Sequence, residues 1–254
     1  MRVTIVGSSH GVPEPGRRCA CVMIETGKSI YFFDMGANAI EALVNRHLPV
    51  ESVKAVFFTH RHGDHIDGLV PFVDLVSWYY RKASPEVYLP DIGFESAIRS
   101  FLDVTGCQVT DRIRFSTVEE GTFYDDGVLS VTAFPSAHCE GAKSFIISLE
   151  GKNIIFTGDL RHNNGPDVEY PILAKECEDR AGKSGRGKVI DFVICEAAHF
   201  EADKYLPHFV ENPPLTVCFT HYSNPKVGGI ISVRDALKEK SEVILGFDGT
   251  EINL

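Results

Sequence analysis

The chain is short of positive charge: 25 Lys and Arg stand against 35 Asp and Glu, for a formal charge of −10. Proteins that grip nucleic acid usually present a basic face, and none is evident. The densest basic stretch, Lys175, Arg180, Lys183, Arg186 and Lys188, is interleaved with Glu176, Glu178 and Asp179. Its Gly-Lys-Ser-Gly-Arg-Gly-Lys segment reads as a flexible, solvated loop, because the Gly-x4-Gly-Lys-Ser/Thr spacing of a phosphate cradle is absent. Long apolar runs are missing too. No stretch approaches the ~18 residues of a membrane span, so no membrane partner is expected. The opening Met1-Arg-Val-Thr-Ile-Val-Gly7 alternates like a strand and lacks the layout of a secretory signal. Seven scattered cysteines, with Cys19-x-Cys21 as the one close pair, fit reduced, mostly buried thiols in a cytoplasmic protein better than a disulfide framework. With 44% hydrophobic and 24% charged residues over 254 positions, one α/β domain spanning 1–254 is the natural expectation.

Against these absences stands one dense cluster. Thr59-His60-Arg61-His62-Gly63-Asp64-His65 follows Val53-Lys-Ala-Val-Phe-Phe58, an apolar run that reads as a buried strand. Ligands just past a strand end are held by the sheet yet face a cleft. Imidazole suits zinc, copper and iron, and a carboxylate beside it can hold a second metal or orient a ligand. Three further candidates follow apolar runs in the same way: His138 after Val128–Phe134, Asp159 after Asn153–Thr157, and His221 after Leu215–Thr220. Strand ends of this kind can converge on one sheet edge, where open α/β folds bind ligands. Five His and two Asp are enough for two metals that share a carboxylate and each keep an open position.

The series His-x-His-x-Asp-His, an isolated His, Gly-Asp and Thr-His resembles the metallo-β-lactamase-fold hydrolases across almost the whole chain. That resemblance implies a four-layer αββα sandwich of two packed mixed sheets with helices outside. It implies one metal on His60, His62, His138 and Asp159 and a second on Asp64, His65, Asp159 and His221, with Asp159 bridging beside a hydroxide. Asp34, in Phe32-Phe33-Asp34-Met-Gly36, would support the first ligand loop without binding metal. Two divalent ions are expected, zinc first, with manganese and iron also suited to the set. Aspartate at 159, where many β-lactamases of the family have Cys, disfavours β-lactam hydrolysis. Histidine at 62, where the redox di-iron relatives usually have Glu, disfavours oxygen reduction.

Val6-Gly-Ser-Ser-His-Gly-Val-Pro13 with Arg17-Arg18, Glu196-Ala-Ala-His199, and Gly246-Phe-Asp-Gly-Thr-Glu251 resemble the ribonuclease Z branch and its compact relatives, including the cyclic phosphodiesterase of phosphonate breakdown. The resemblance implies a phosphodiesterase acting on a small or nucleotide-like phosphodiester, in which His199 protonates the leaving oxygen or stabilises charge on phosphorus and Asp64 orients the nucleophile. A ribonuclease Z-like RNA endonuclease and a thioester or lactone hydrolase with the same ligands stand as alternatives, as does a metal-holding module without chemistry. Only 20 residues separate His138 from Asp159, filled by one hairpin around Glu150-Gly151. That leaves no room for a tRNA-gripping arm, although tRNA stays on the roster of substrates and a homodimer stays open. The extra structural zinc of the phosphonate enzyme is not expected, since Cys19 and Cys21 lack the fuller spacing and Asn224 stands where its His would.

Among the other histidines, His10 and His162 are candidate substrate contacts, His47 reads as a helix-end residue, and His208 as ordinary surface or core. Strands are expected near 2–7, 20–26, 29–33, 53–58, 87–89, 128–134, 144–149, 153–157, 189–195, 215–219 and 243–245. Helices are expected near 66–82, 94–104, 168–181, 202–210 and 232–240. Trp78, Tyr79 and Tyr80 on the first of these read as packing residues.

Overall fold

The computed structural model describes residues 1–161, 169–183, 185, 187 and 189–254. In chain order, β1 (Arg2–Gly7), β2 (Cys21–Thr26), β3 (Ser29–Met35), α1 (Ala39–Asn45), β4 (Val53–Phe57), α2 (Gly63–Ile66), α3 (Leu69–Trp78), β5 (Glu86–Leu89), α4 (Gly93–Val104) and β6 (Arg114–Thr117) come first. They are followed by β7 (Gly121–Asp125), β8 (Leu129–Pro135), β9 (Lys143–Leu149), β10 (Lys152–Phe156), α5 (Tyr170–Lys183), β11 (Phe192–Glu196), α6 (Leu206–Glu211), β12 (Thr216–Thr220), α7 (Val227–Leu237), β13 (Glu242–Leu245) and β14 (Glu251–Asn253). The chain divides into two compact units, one of residues 1–118 with 247–254 and one of residues 119–246.

The first unit holds a seven-stranded mixed sheet in the order β14-β1-β2-β3-β4-β5-β6. Strands β3 to β6 run parallel, while β14, β1, β2 and β3 pair antiparallel. Parallel strands read as near-continuous apolar runs because both faces are covered, as Ile30–Phe33 and Ala55–Phe57 do. On one face Met23, Phe32, Val56 and Val87 pack under Leu43 of α1, Phe72 and Val76 of α3 and Leu102 of α4. A single helix over 66–82 is replaced by α2 and α3, broken at Asp67–Gly68. The break follows from close packing. Gly68 donates its N–H to the Met35 carbonyl at 2.8 Å, and a Cβ there would sit 2.3 Å from the Ala37 carbonyl oxygen. Helix α3 also stops at Trp78, and Trp78 and Tyr79 are 51% and 62% exposed, so Leu69, Phe72, Val73 and Val76 do the packing expected of those two aromatics.

The second unit holds another seven-stranded mixed sheet, in the order β13-β12-β11-β10-β9-β8-β7. Strands β10 to β13 are parallel, and β7 to β10 form an antiparallel meander. The β9–β10 hairpin turns at Glu150 (φ 51°) and Gly151 (φ 73°), both left-handed as a tight two-residue turn requires, where one hairpin was expected. Ile155, Val193, Val217 and Phe219 pack with Tyr170, Leu173 and Cys177 of α5, Phe209 of α6 and Ile230, Val233 and Leu237 of α7. Helix α7 lies five residues earlier than the expected start at 232. The basic stretch lies partly on α5, which carries Lys175, Arg180 and Lys183. Ser184, Arg186 and Lys188 lie outside the described residues, as do His162 and Val168, the first residue of the helix expected from 168.

Candidate metal centre

Parallel strands place the chemistry. Neighbouring β3 and β4 end together, bringing Asp34 beside Thr59 and His60. Neighbouring β10, β11 and β12 end together, bringing Asp159, Glu196 and His221 to one edge. The edge in each case is the carboxyl end of the strands, where α/β sheets bind ligands.

In the first unit, His60 and His65 are each 1% exposed, and Asp34 is fully buried. Asp34 accepts hydrogen bonds from the Thr59 N–H at 2.8 Å and from the Thr59 hydroxyl, and its Oδ2 lies 2.8 Å from His65 Nδ1. A carboxylate on Nδ1 fixes the ring tautomer and leaves Nε2 as the donor to a metal. The Thr59 hydroxyl meets His60 Nδ1 at 3.0 Å and does the same for that ring. His60 Nε2 then lies 3.0 Å from His62 Nδ1, and His65 Nε2 lies 3.4 Å from Asp64 Oδ2. Asp34 thus ties the His60–His65 turn to the end of β3 through hydrogen bonds. The His10 loop lies against the same turn. Ser9 closes it by a hydroxyl bond to the Val12 carbonyl at 2.8 Å, and a Cβ on Gly11 would sit 3.4 Å from Asp64 Oδ2. His47 is exposed at the end of α1 with φ 55°, a helix-end residue as read from the sequence, and His208 lies on α6 beside the Tyr170 ring.

In the second unit, Asp159 is 3% exposed and three imidazoles surround it. His221 Nε2 lies 3.3 Å from Asp159 Oδ1, while His138 Nε2 and His199 Nε2 lie 3.6 and 3.7 Å from Oδ2. His138, Asp159 and His199 offer donor atoms within 4.8 Å of one another. Again the far nitrogens are engaged: His138 Nδ1 at 3.2 Å from the Leu160 carbonyl, His199 Nδ1 at 2.8 Å from Glu196 Oε2. His221 adopts φ 50°, a left-handed conformation rare outside glycine and Asn, Asp or His, and its carbonyl accepts from the Ala197 N–H at 3.2 Å.

The fit to a metal can be tested from these distances. Two donors each about 2.1 Å from one cation, at roughly 90–110° to each other, lie ~3.0–3.4 Å apart. The pairs His60–His62, Asp64–His65 and Asp159–His221 fall in that window, and the two pairs on Asp159 Oδ2 lie just outside it. Nitrogen and carboxylate donors with their outer atoms already fixed by hydrogen bonds suit a divalent ion.

Several residues that matter here carried no assigned role in the sequence reading. Glu196, 1% exposed, accepts from the Leu160, Ala198 and His199 N–H groups as well as facing the His199 ring. Ser136 donates to the Asp159 carbonyl at 2.7 Å. Thr59 stands inside the motif, but its double use by Asp34 and His60 depends on two strands meeting.

Comparison with solved structures bears out the expected fold. The metallo-beta-lactamase fold protein YhfI from Bacillus subtilis superposes with a TM-score of 0.75 at 16% identity, covering 99% of this chain and 98% of that one. A diphosphatase from the PhnP family gives 0.67 at 16% identity, over 100% and 97%. Among curated proteins, ribonuclease Z of Listeria innocua serovar 6a is 28% identical over 148 residues, 57% of this chain and 47% of that protein. The chain spans about half the length of the curated relatives it matches. These likenesses agree with the branch read from the motifs. A family model, described as anti-Pycsar protein Apyc1, matches residues 1–169 and with them every donor from His60 to Asp159. By that match the chain belongs to the anti-Pycsar protein Apyc1 family.

Proposed function

We propose that this chain is a metal-dependent phosphodiesterase, working as one domain over residues 1–254 on a small or nucleotide-like phosphodiester. Family membership extends the anti-Pycsar role to it as part of the same proposal. His60, His62, His138 and Asp159 would hold one divalent ion and Asp64, His65, Asp159 and His221 the other. Zinc is the expected occupant, with manganese or iron also suited to these donors. Bound ions of this kind bring the pKa of water toward about 7 and neutralise charge on phosphoryl oxygens.

The observation that carries the reading is the split use of one carboxylate. Asp159 turns Oδ1 to His221 and Oδ2 to His138, so a single side chain faces two different histidines with its two oxygens, an arrangement open to a shared ligand. His199 is the proton donor to the leaving oxygen. Glu196 holds its Nδ1 at 2.8 Å, and Nε2 points toward Asp159. Asp64, beside His65 and under the His10 loop, orients the nucleophile.

An RNA endonuclease is the second reading, favoured by the ribonuclease Z relatives. Against it, a plain hairpin joins β9 and β10 where a tRNA-gripping arm would branch. Thioester and lactone hydrolysis would use the same donors. Among the described residues no helix is long and apolar enough to cross a membrane.

Purified, zinc- or manganese-loaded protein is to be assayed on bis(p-nitrophenyl) phosphate, a carboxyl ester, a thioester, a lactone and precursor tRNA. Phosphodiester turnover should dominate, vanish on chelation and return with metal. Faster cleavage of the carboxyl ester, thioester or lactone would overturn the phosphodiesterase reading, and specific tRNA cleavage would favour the second. In Asp159→Ala the metal content should fall below two per chain by elemental analysis. Two tightly held ions in that variant would refute the shared-ligand role.

A further inference from the structure

We propose that Glu169 is a positioning residue that sets the separation of the His138 and Asp159 loops. The inference rests on the metal-site reading above and goes beyond it. Glu169 is 7% exposed, and both of its carboxylate oxygens are used. Oε1 accepts from the Ala137 N–H at 2.5 Å, and Oε2 accepts from the Arg161 N–H at 3.0 Å. Ala137 immediately precedes His138, and Arg161 follows Asp159 by two residues.

An acidic residue at the start of a helix ordinarily complements the helix dipole. Glu169 does stand there, since its carbonyl accepts from the Leu173 N–H at 3.2 Å. Its side chain, however, turns away from α5 and binds two other loops. A carboxylate is the side chain that offers an acceptor on each arm of a planar fork, and charge-assisted bonds to backbone N–H groups are stronger than neutral ones. The two loops are also tied directly, Ser136 hydroxyl to Asp159 carbonyl at 2.7 Å and His138 Nδ1 to Leu160 carbonyl at 3.2 Å. Those ties join the loops to each other. Glu169 adds a clasp from a third element, so the seating of α5 on its sheet fixes how far His138 stands from Asp159. Glutamine in its place keeps one acceptor and sets an amide N–H₂ against a backbone N–H, which opens one side of the clasp with little change in volume.

The test compares the wild-type chain with Glu169→Gln, Glu169→Ala and Glu176→Gln. Glu176 lies on the same helix and pairs with Arg180 at 3.1 Å. Zinc affinity is read by competition with a chromophoric chelator, amide exchange by mass spectrometry of peptides covering 135–140 and 159–161, and kcat and KM on the phosphodiester. Glu169→Gln should bind zinc about 10–100-fold more weakly. It should exchange faster in both peptides and lose kcat without a matching rise in KM, while melting with the Glu176→Gln control. Should Glu169→Ala fail to fold, Glu169→Gln still decides. Wild-type zinc affinity in Glu169→Gln, or a loss that tracks only its unfolded fraction, would overturn the positioning role. A wild-type chain that binds neither zinc, manganese nor iron would instead sink the metal reading, and this inference with it.

Discussion

Asp34 adopts φ 55° at the end of β3, a conformation that costs an L-residue about 1–2 kcal/mol. It is held there by bonds to Thr59 and His65, so backbone strain is spent on aiming one carboxylate. Asp34→Asn keeps the shape but turns an amide toward groups that need an acceptor. Metal affinity should fall roughly 10–100-fold while the thermal transition persists, as zinc titration and calorimetry would show. Two positions on, a Cβ added at Gly36 would lie 1.7 Å from the Asp64 carbonyl oxygen. Backbone cannot yield as a side-chain tip can, so Gly36→Ala should destabilise by about 3 kcal/mol or more in urea denaturation and disturb metal binding at the adjoining turn. At this scale the sequence was informative wherever a donor follows an apolar run, as His60, His138, Asp159 and His221 do. It assigned no role to Glu169, whose contacts reach 8 and 32 residues along the chain, or to Glu196, which it named only within Glu196-Ala-Ala-His199 and which also reaches Leu160, 36 residues away.

The second unit buries thiols on two parallel strands, Cys195 on β11 and Cys218 on β12, and one on helix α5, Cys177. Burial pushes Cys177 and Cys218 up to about 12 and raises Cys195 well above its usual range. In the first unit, burial and then Asp34 raise Cys21. These four should resist a disulfide reagent at pH 8 in the folded chain and react on unfolding, whereas Cys107, Cys139 and Cys19 are only part-buried. The same shifts fix a pH dependence. A thiol whose folded pKa exceeds the unfolded ~9 stays protonated in the native state while the unfolded chain loses its proton, so stability is intact below pH ~9 and declines toward 12. Unfolding free energies from urea titrations at pH 8 and pH 10 should differ by on the order of 1 kcal/mol per buried thiol, and Cys218→Ala should reduce that difference. Elements with strong apolar patterns, β1 to β5 and β8 to β12, were readable. Strand β6, whose burial merely alternates between partial and exposed, and β7, mostly exposed, carry no such pattern, and three-residue β14 is too short to show one. The α2–α3 break was missed because it is imposed by the carbonyls of Met35 and Ala37, distant in sequence from Gly68.

At the scale of the whole chain, family-level motifs were distributed from Val6 to Glu251, and that spread is why the fold class could be read without coordinates. The path through the two units could not, because it depends on the return of the last residues to the first unit. There β14 pairs with β1, and Asp248 accepts from the Ser8 N–H and hydroxyl at 2.9 and 2.8 Å and from the Arg18 N–H at 2.8 Å. Asp248→Ala should therefore lower stability by about 2–3 kcal/mol and make the Ser8–Pro13 loop an early site of limited proteolysis. A normal digestion pattern there would count against Asp248 as the anchor of the His10 loop. This closure also sets an order of maturation. A ribosome emits residues 119–246 in full before it emits the strand that completes the first sheet. The second unit can thus settle while the first still lacks an edge, and the Ser8–Pro13 loop that lies against the histidine turn waits on Asp248 for its anchor.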